Sequence, residues 1–278
     1  MEIPPALRGR PALLVVAHPG HELRVHGWLE LARPEVWVLT DGGGRTGLGR
    51  LGSSRAVVER AGARVGPVFG AFTDQEAYRL LLAGDVQPVA RLVERLADRL
   101  AAEEGPYVVG DALEGFNPVH DLCRVLVDLA TARAERRTGR RIDSLDFPLE
   151  AAPDTLGRIG EDLRLLLDEA AVARKLTAAR EYPEMATEVA RALVSHGQAA
   201  FAVERLRPVD AQRSLAARLQ GPPLYERFGE ERVAAGTYRQ VLRFAEHFAP
   251  FVAALTEARE ASGERPESDK RSEARQSG

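Results

Sequence analysis

Apolar residues in the first 150 positions form short continuous runs separated by segments with helical spacing. The continuous runs, which predict buried parallel strands, lie at 12–16, 36–40, 65–72, 107–110 and 142–147. The clearest helical series follows Asp85 and consists of Val89, Leu92, Val93, Leu96 and Leu100. Because strands and helices alternate, we expect an α/β fold, a Rossmann-like three-layer αβα sandwich with a mostly parallel sheet.

The pattern changes in the second half of the chain. Beyond residue 160 it is mostly helical, although 203–209 is compatible with a late edge strand. Residues 261–278 contain almost no apolar side chains, which predicts a disordered tail. We therefore expect a single domain over residues 1–260, which divides into a core at 10–150 and a helical extension at 151–260.

Composition and charge exclude several classes of protein. A formal net charge of −3 gives no overall field that would attract nucleic acid or an anionic membrane. Cys123 is the only cysteine, which excludes an internal disulfide and fits a reducing cytosol. No apolar stretch is long enough to span a bilayer. We expect a cytoplasmic protein that acts on a small molecule, has no nucleic-acid or membrane partner, and can form a homo-oligomer.

Three histidines occupy positions at which a strand ends and a helix begins. His18 and His21 follow the first predicted strand, and His120 follows the fourth. Ligands bind at this carboxyl edge in open α/β sheets, and three imidazoles plus water make an open zinc site. The alternative is that each is a helix-terminal histidine bonded to backbone. We favour a site for Zn²⁺ or another divalent metal, because three such residues together carry more information than one.

Two motifs around these histidines resemble those of a known enzyme family. Residues 17–22, Ala-His-Pro-Gly-His-Glu, are similar to Ala-His-Pro-Asp-Asp-Glu, and residues 114–120, Glu-Gly-Phe-Asn-Pro-Val-His, to Glu-Asp-Tyr-His-Pro-Asp-His. The latter forms are typical of the LmbE/PIG-L-like metal-dependent N-deacetylases. Weaker matches lie between the two motifs, at Thr40-Asp41-Gly42, at Arg55 with Glu59, and at Phe72-Thr73-Asp74.

The resemblance implies a hydrolase that uses a metal-bound water to cleave an amide, an N-acyl group on a sugar or small polar substrate. It places the metal ligands at His18, His21 and His120, with His21 in the position of an aspartate ligand. Asn117 stands where the family has an oxyanion-stabilising histidine, and its amide can still donate a hydrogen bond. Gly20 stands where the family has its general base.

The glycine at position 20 removes a group whose help is worth about 10²–10⁴-fold in rate. Exchanging a carboxylate ligand for neutral His21 compensates in part, because a more positive site makes bound water more acidic. Glu22, Glu114, Asp41 and Asp111 are candidate replacement bases, with a helix-dipole contact as the structural alternative for Glu22 and turn chemistry for Asp41 and Asp111. In a second hypothesis, the chain is a degenerate family member that binds metal or a small ligand without hydrolysis.

Substrate contacts are predicted at three positions. The family pattern implies Arg55 and Asp74, and Arg45 lies in a glycine-rich loop beside the predicted site. Residues 42–47 also match Gly-x-Gly-x-x-Gly, but a dinucleotide fingerprint passes straight into a helix, whereas this loop continues to residue 52. We therefore interpret this segment as a flexible loop beside the site rather than as a nucleotide site.

Overall fold

The computed structural model describes residues 3, 5–44, 47–153, 162–211, 215–219 and 221–258. The predicted disordered tail at 261–278 and the predicted substrate contact Arg45 lie outside these residues. No helix within the described ranges is both long enough and apolar enough to cross a membrane.

One sheet of seven strands is formed by the described residues. Its strands are β1 (Ala12–Val16), β2 (Glu35–Thr40), β3 (Arg64–Phe72), β4 (Tyr107–Asp111), β5 (Asp143–Phe147), β6 (Leu163–Leu166) and β7 (Val203–Pro208). They lie in the order β3-β2-β1-β4-β5-β7-β6. Strands β1 to β5 pair in parallel, whereas β7 is antiparallel to both β5 and β6.

Helices cover both faces of this sheet. They are α1 (His26–Ala32), α2 (Leu51–Arg60), α3 (Asp74–Ala83), α4 (Gln87–Ala101), α5 (Pro118–Thr138), α6 (Glu169–Arg180), α7 (Ala186–His196), α8 (Leu215–Arg218), α9 (Leu224–Ala234) and α10 (Ala249–Glu257). Helices α3, α4, α5 and α10 contribute to the core on one face, and α1, α2 and α6 to the core on the other. The predicted three-layer α/β sandwich is therefore confirmed.

Alternate residues of β1 enter the two cores. Leu13 and Val15 belong to the core beneath α4 and α5, whereas Leu14 and Val16 belong to the core beneath α1 and α2. A strand covered on both faces needs an apolar residue at every position, because successive side chains point to opposite faces. This explains the uninterrupted apolar run that predicted the strand.

The chain enters its first helix differently from the continuous helix that the sequence predicts after residue 22. Gly20 adopts a φ of +105°, in the region that favours glycine. Residues His21–Val25 then form a 3₁₀ helix, and α1 begins only at His26. The tighter 3₁₀ turn determines which side chains of this segment share a face.

Two further elements were not predicted from the sequence. Helix α3 begins with a reciprocal capping box between Thr73 and Glu76, a local signal that the hydrophobic pattern alone does not contain. Strand β6 spans only Leu163–Leu166, which is too short to give a clear period. The region after residue 150 therefore contributes two strands as well as helices.

A buried ion pair connects this later region to the first helix. The Glu204 carboxylate, on β7, accepts hydrogen bonds from the Gly27 and Trp28 N–H groups and from Lys175 Nζ, each at 2.8 Å. Lys175, on α6, also donates to the Arg24 carbonyl at 2.7 Å. Both side chains are almost fully buried. The Lys175–Glu204 pair thus holds the junction between the 3₁₀ helix and α1.

Candidate active site

The predicted site residues come together at the carboxyl edge of the parallel strands. His18 lies just beyond the end of β1, Thr40 ends β2, and Asp111 ends β4. His120 lies in the first turn of α5, which follows β4. Parallel neighbours bring these strand ends to one edge of the sheet, as expected for a ligand site in an open α/β fold.

His18, His21 and His120 form what we call the imidazole cluster. Their ring centroids are separated by 5.3 Å for His18 and His21, 4.9 Å for His18 and His120, and 4.6 Å for His21 and His120. His18 and His120 are 7% and 8% exposed, so these rings are nearly removed from solvent. The structure therefore brings together all three residues that the sequence predicts as metal ligands.

The protonated nitrogen of His18 is set by its neighbours. His18 Nδ1 lies 2.6 Å from Thr40 Oγ1 and 3.0 Å from Asp74 Oδ1. The Thr40 hydroxyl also lies 3.1 Å from the Ala17 carbonyl, and the Asp74 carboxylate can only accept hydrogen bonds. In the neutral ring, the carboxylate favours the tautomer with the proton on Nδ1, which leaves Nε2 available to a metal.

The Asp111 carboxylate lies against the Nδ1 atom of His21, as Thr40 and Asp74 lie against that of His18. Its Oδ2 lies 2.9 Å from His21 Nδ1 and accepts a hydrogen bond from the Ala17 N–H at 2.8 Å. A carboxylate behind the far nitrogen of a histidine fixes the ring orientation and tautomer of a metal ligand. From the sequence alone, turn chemistry is the simpler interpretation of Asp111. The sequence signal for its contact with His21 is its position at the end of β4, the strand that pairs with β1.

Burial favours the neutral form of two rings of the cluster. It lowers the pKa values of His21 and His120 well below the usual histidine value, and the positive charge of Arg50 lowers them further. Burial also raises the pKa of Asp111 to about 7, although the Ala17 N–H opposes this shift. Neutral imidazole is the form that binds metal, so His21 and His120 are in their ligating form at pH 7.

The cluster fits a divalent metal in residue type and in spacing. Tetrahedral zinc, with Zn–N bonds of about 2.0–2.1 Å, places the ring centroids of its histidine ligands about 5 Å apart, and the observed separations are 4.6–5.3 Å. In the described parts of the chain, no group of three or more His, Cys, Asp or Glu side chains is already arranged to hold an ion. Binding therefore requires the rings to reorient about their present positions.

Met185 occupies the space beside Gly20. A Cβ atom added to Gly20 would lie 3.0 Å from both the Sδ and the Cε atoms of Met185. Met185 ends the 3₁₀ helix Pro183–Met185, which follows α6, and its sulfur also contacts Arg50 Nη1. At position 20, where the N-deacetylase motif that this segment resembles has its general base, a side chain is disfavoured both by the φ of Gly20 and by the Met185 thioether.

The predicted replacement bases each have a structural partner. Glu22 is fully buried and accepts from the Gly20 N–H at 2.7 Å. The Glu114 carboxylate accepts three backbone N–H groups of residues 149–151, at 2.8–3.0 Å. Asp41 Oδ1 accepts from the Gly43 N–H at 2.9 Å. These carboxylates stabilise the loops around the imidazole cluster through backbone hydrogen bonds.

Asn117 and Asp74 lie beside the cluster, whereas Arg55 does not. Asn117 caps α5, and its Oδ1 accepts from the Val119 N–H at 2.8 Å, which leaves its NH₂ group to donate. Asp74 reaches His18; burial alone would raise the pKa of Asp74, but His18 and Thr40 hold it well below its usual range. Arg55 is exposed on α2 and lies over the Phe69 ring at 5.2 Å.

Two further arginines act on the cluster. Arg50, which the sequence offers with Arg45 and Arg55 as a candidate contact for an anionic or sugar substrate, donates from Nε to the Gly42 carbonyl at 2.7 Å, and its charge acts on His21 and His120. Arg24, on the 3₁₀ helix, is not predicted as a site residue; its charge also acts on His21. The i, i+3 spacing of His21 and Arg24 is the sequence signal for their proximity, because residues three apart are neighbours on both 3₁₀ and α helices.

Among solved structures, the chain has a similarity in fold but none in family. No family model matches the chain, and no curated protein sequence matches it. The chain is similar to the crystal structure of the antimicrobial reagent A40926 pseudoaglycone deacetylase Dbv21, at 18% sequence identity and a TM-score of 0.49. The similarity covers 73% of this chain and 98% of that chain. A likeness of this strength carries no functional information, so the residues of the site must supply it.

Proposed function

We propose that this protein is a metal-dependent hydrolase that cleaves an amide in an N-acylated sugar or another small polar substrate. The imidazole cluster carries the proposal, because three largely buried rings with the spacing of zinc ligands lie at the ligand-binding edge of the sheet. The motifs at 17–22 and 114–120, which resemble those of N-deacetylases, supply the reaction class.

Each residue of the site has a part in this proposal. His18, His21 and His120 would hold the metal, with Asp111 on His21 and Asp74 on His18 fixing which ring nitrogen is free. A bound divalent cation supplies Lewis-acid polarisation of a carbonyl and lowers the pKa of water.

The remaining groups act on the substrate. The Asn117 NH₂ group is oriented by the cap bond of its Oδ1 and can donate to the carbonyl oxygen as negative charge develops there. Arg50 adds positive charge beside the cluster, which favours negative charge in the transition state. The site contains no carboxylate at position 20, so proton removal from water depends more heavily on the charge of the site.

Metal analysis of the purified full-length protein, together with His21→Ala, tests the proposal. We expect about one equivalent of a divalent metal in the wild type and a large loss in the variant. Acetate release from N-acetylated amino sugars, with and without a chelator, then tests hydrolysis. Absence of stoichiometric metal from the wild type would contradict the proposal.

The second candidate is a protein of the same design that binds metal or a small ligand without turning it over. The contact between Met185 and the Gly20 position favours it, because it closes the space in which a base would act. A metal-loaded wild type that releases no acetate, and that gains this activity when a carboxylate is restored at position 20, would support this candidate.

A further inference from the structure

Arg24 is half-buried and forms no ion pair with a described carboxylate, unlike several other arginines of the chain. Arg124, Arg133 and Arg207 form ion pairs at 2.8, 2.6 and 2.6 Å with aspartate or glutamate. No such pair within 4.0 Å involves Arg24 in the described parts of the chain, and its Nη1 is buried without a hydrogen-bond partner there. A buried guanidinium that contacts no anion raises the free energy of the fold, so binding of an anion at Nη1 would stabilise it.

The local helix directs Arg24 towards the same side as His21. Residues three apart eclipse each other on a 3₁₀ helix, and His21–Val25 has that geometry. The charge of Arg24 also acts on His21, which supports their proximity. Arg24 therefore stands next to the imidazole cluster rather than on the opposite face of the turn.

The direct contacts of the guanidinium are with a backbone carbonyl and an aromatic ring, neither of which carries a charge. Nη2 donates to the Leu149 carbonyl, and the group lies 5.5 Å from the centroid of the Phe201 ring. The backbone behind it is fixed by Lys175, which donates to the Arg24 carbonyl. An anchored guanidinium loses less freedom when it binds an anion than a mobile side chain would.

Nearby carboxylates do not fill this role. Glu114 is engaged by three backbone N–H groups of the loop at 149–151. Glu150 acts on Arg24 only at longer range, because no ion pair between them forms within 4.0 Å among the described residues. The position beside Nη1 thus lacks the negative group that its charge favours.

We propose that Arg24 binds an anionic group of the substrate, a carboxylate or a phosphate, beside the imidazole cluster. This inference rests on the proposed function and specifies it: the preferred N-acyl substrate carries an acidic group within reach of the scissile amide. A planar guanidinium suits both kinds of oxyanion, because each presents oxygens that accept parallel N–H donors.

The test uses the metal-free full-length protein, so that a metal cannot bind the anion itself. Inorganic phosphate and acetate serve as separate probes, and their binding is measured by calorimetry with wild type and Arg24→Gln. We expect saturable binding of at least one anion by the wild type and about tenfold weaker binding by the variant. The probe that binds more tightly shows whether the site prefers a phosphate or a carboxylate.

Arg140→Gln is the matched control, because Arg140 also donates to a single backbone carbonyl, that of Ala101, but follows the far end of α5. Its anion binding should equal that of the wild type. Thermal unfolding without anion shows whether each variant is folded. If Arg24→Gln does not fold, Arg24→Lys replaces it in the binding experiment. We then expect severalfold weaker anion binding, because lysine lacks the planar guanidinium fork.

Absence of saturable binding to the wild type, or equal binding by the Arg24 variant that folds, would overturn the inference. Metal analysis separates this from failure of the proposed function. A protein that binds zinc but shows no Arg24-dependent anion binding refutes only the anion site. A protein that binds the anion through Arg24 but takes up no metal refutes the hydrolase and leaves the anion site standing.

Discussion

Residues 20 and 21 are neighbours in the chain, but their surroundings have opposite consequences. His21 is oriented by the Asp111 carboxylate and faces two other imidazoles. Gly20 has a left-handed backbone, and Met185 fills the space next to it. In the N-deacetylase motif that these residues resemble, both positions carry aspartate. In the proposed function, metal binding and proton removal from water therefore depend on separate residues, so the first would survive the loss of the second.

The largest effect is expected from His120→Ala, which removes one ring of the imidazole cluster. We expect the variant to lose stoichiometric metal, because two remaining imidazoles leave an incomplete site. Metal content of the purified protein is the measurement. His247→Ala is the control: this imidazole accepts from the Arg243 N–H and is not part of the cluster. Equal metal content in His120→Ala and the wild type would show that the cluster is not the metal site.

Restoring a carboxylate at position 20 should have the next largest effect. Gly20→Asp alone is expected to fold poorly, because of the backbone φ and the Met185 contact. Combined with Met185→Ala, it should raise amide hydrolysis by about 10²–10⁴-fold over Met185→Ala alone, the usual worth of a general base. Acetate release by the metal-loaded proteins is the measurement.

Gly20→Asn with Met185→Ala is the control for this experiment, since it has the same shape without the carboxylate. If the asparagine and aspartate variants hydrolyse equally, a base at position 20 is not what the wild type lacks.

Asp111→Asn tests the other side of the comparison. Its amide oxygen can still accept from the Ala17 N–H, but the contact with His21 Nδ1 loses its charge. Loss of such a partner typically weakens metal binding by about 10–100-fold. Competition with a chromophoric chelator measures this affinity. An unchanged affinity would mean that Asp111 does not orient His21.

The smallest effect is expected from Met185→Leu, which keeps the volume beside Gly20 but removes the sulfur. Volume-conserving exchanges usually cost less than about 1.5 kcal/mol, and metal affinity should not change. Urea unfolding measures the stability. A much larger loss would show that the contact between the Met185 sulfur and Arg50, rather than the filled volume, matters here.

The sequence predicts the sheet and the imidazole cluster because both depend on local patterns. An apolar run such as 12–16 identifies a buried strand, and parallel strands bring His18, His21 and His120 to one edge. Met185 could not be predicted beside Gly20, because that contact depends on how a helical region far along the chain packs back.

The same limit applies to the hydrogen-bond partners of the predicted bases. Glu22 and Glu114 are candidate bases because they lie within or next to the motifs. Their backbone partners depend on loop conformations, which leave no periodic pattern of apolar residues in the sequence.

The Lys175–Glu204 pair limits how far the chain can be truncated from its carboxyl end. A fragment ending near residue 150 would retain the motifs but would leave the Gly27 and Trp28 N–H groups without their acceptor. The later region also packs directly on this turn, since a Cβ added at Gly27 would lie 2.3 Å from Leu167 Cδ2 and displace that side chain. Truncated forms and chimaeras should therefore keep residues 163–208 together with the amino-terminal half, since the segment with the recognisable motifs is not a self-sufficient building block.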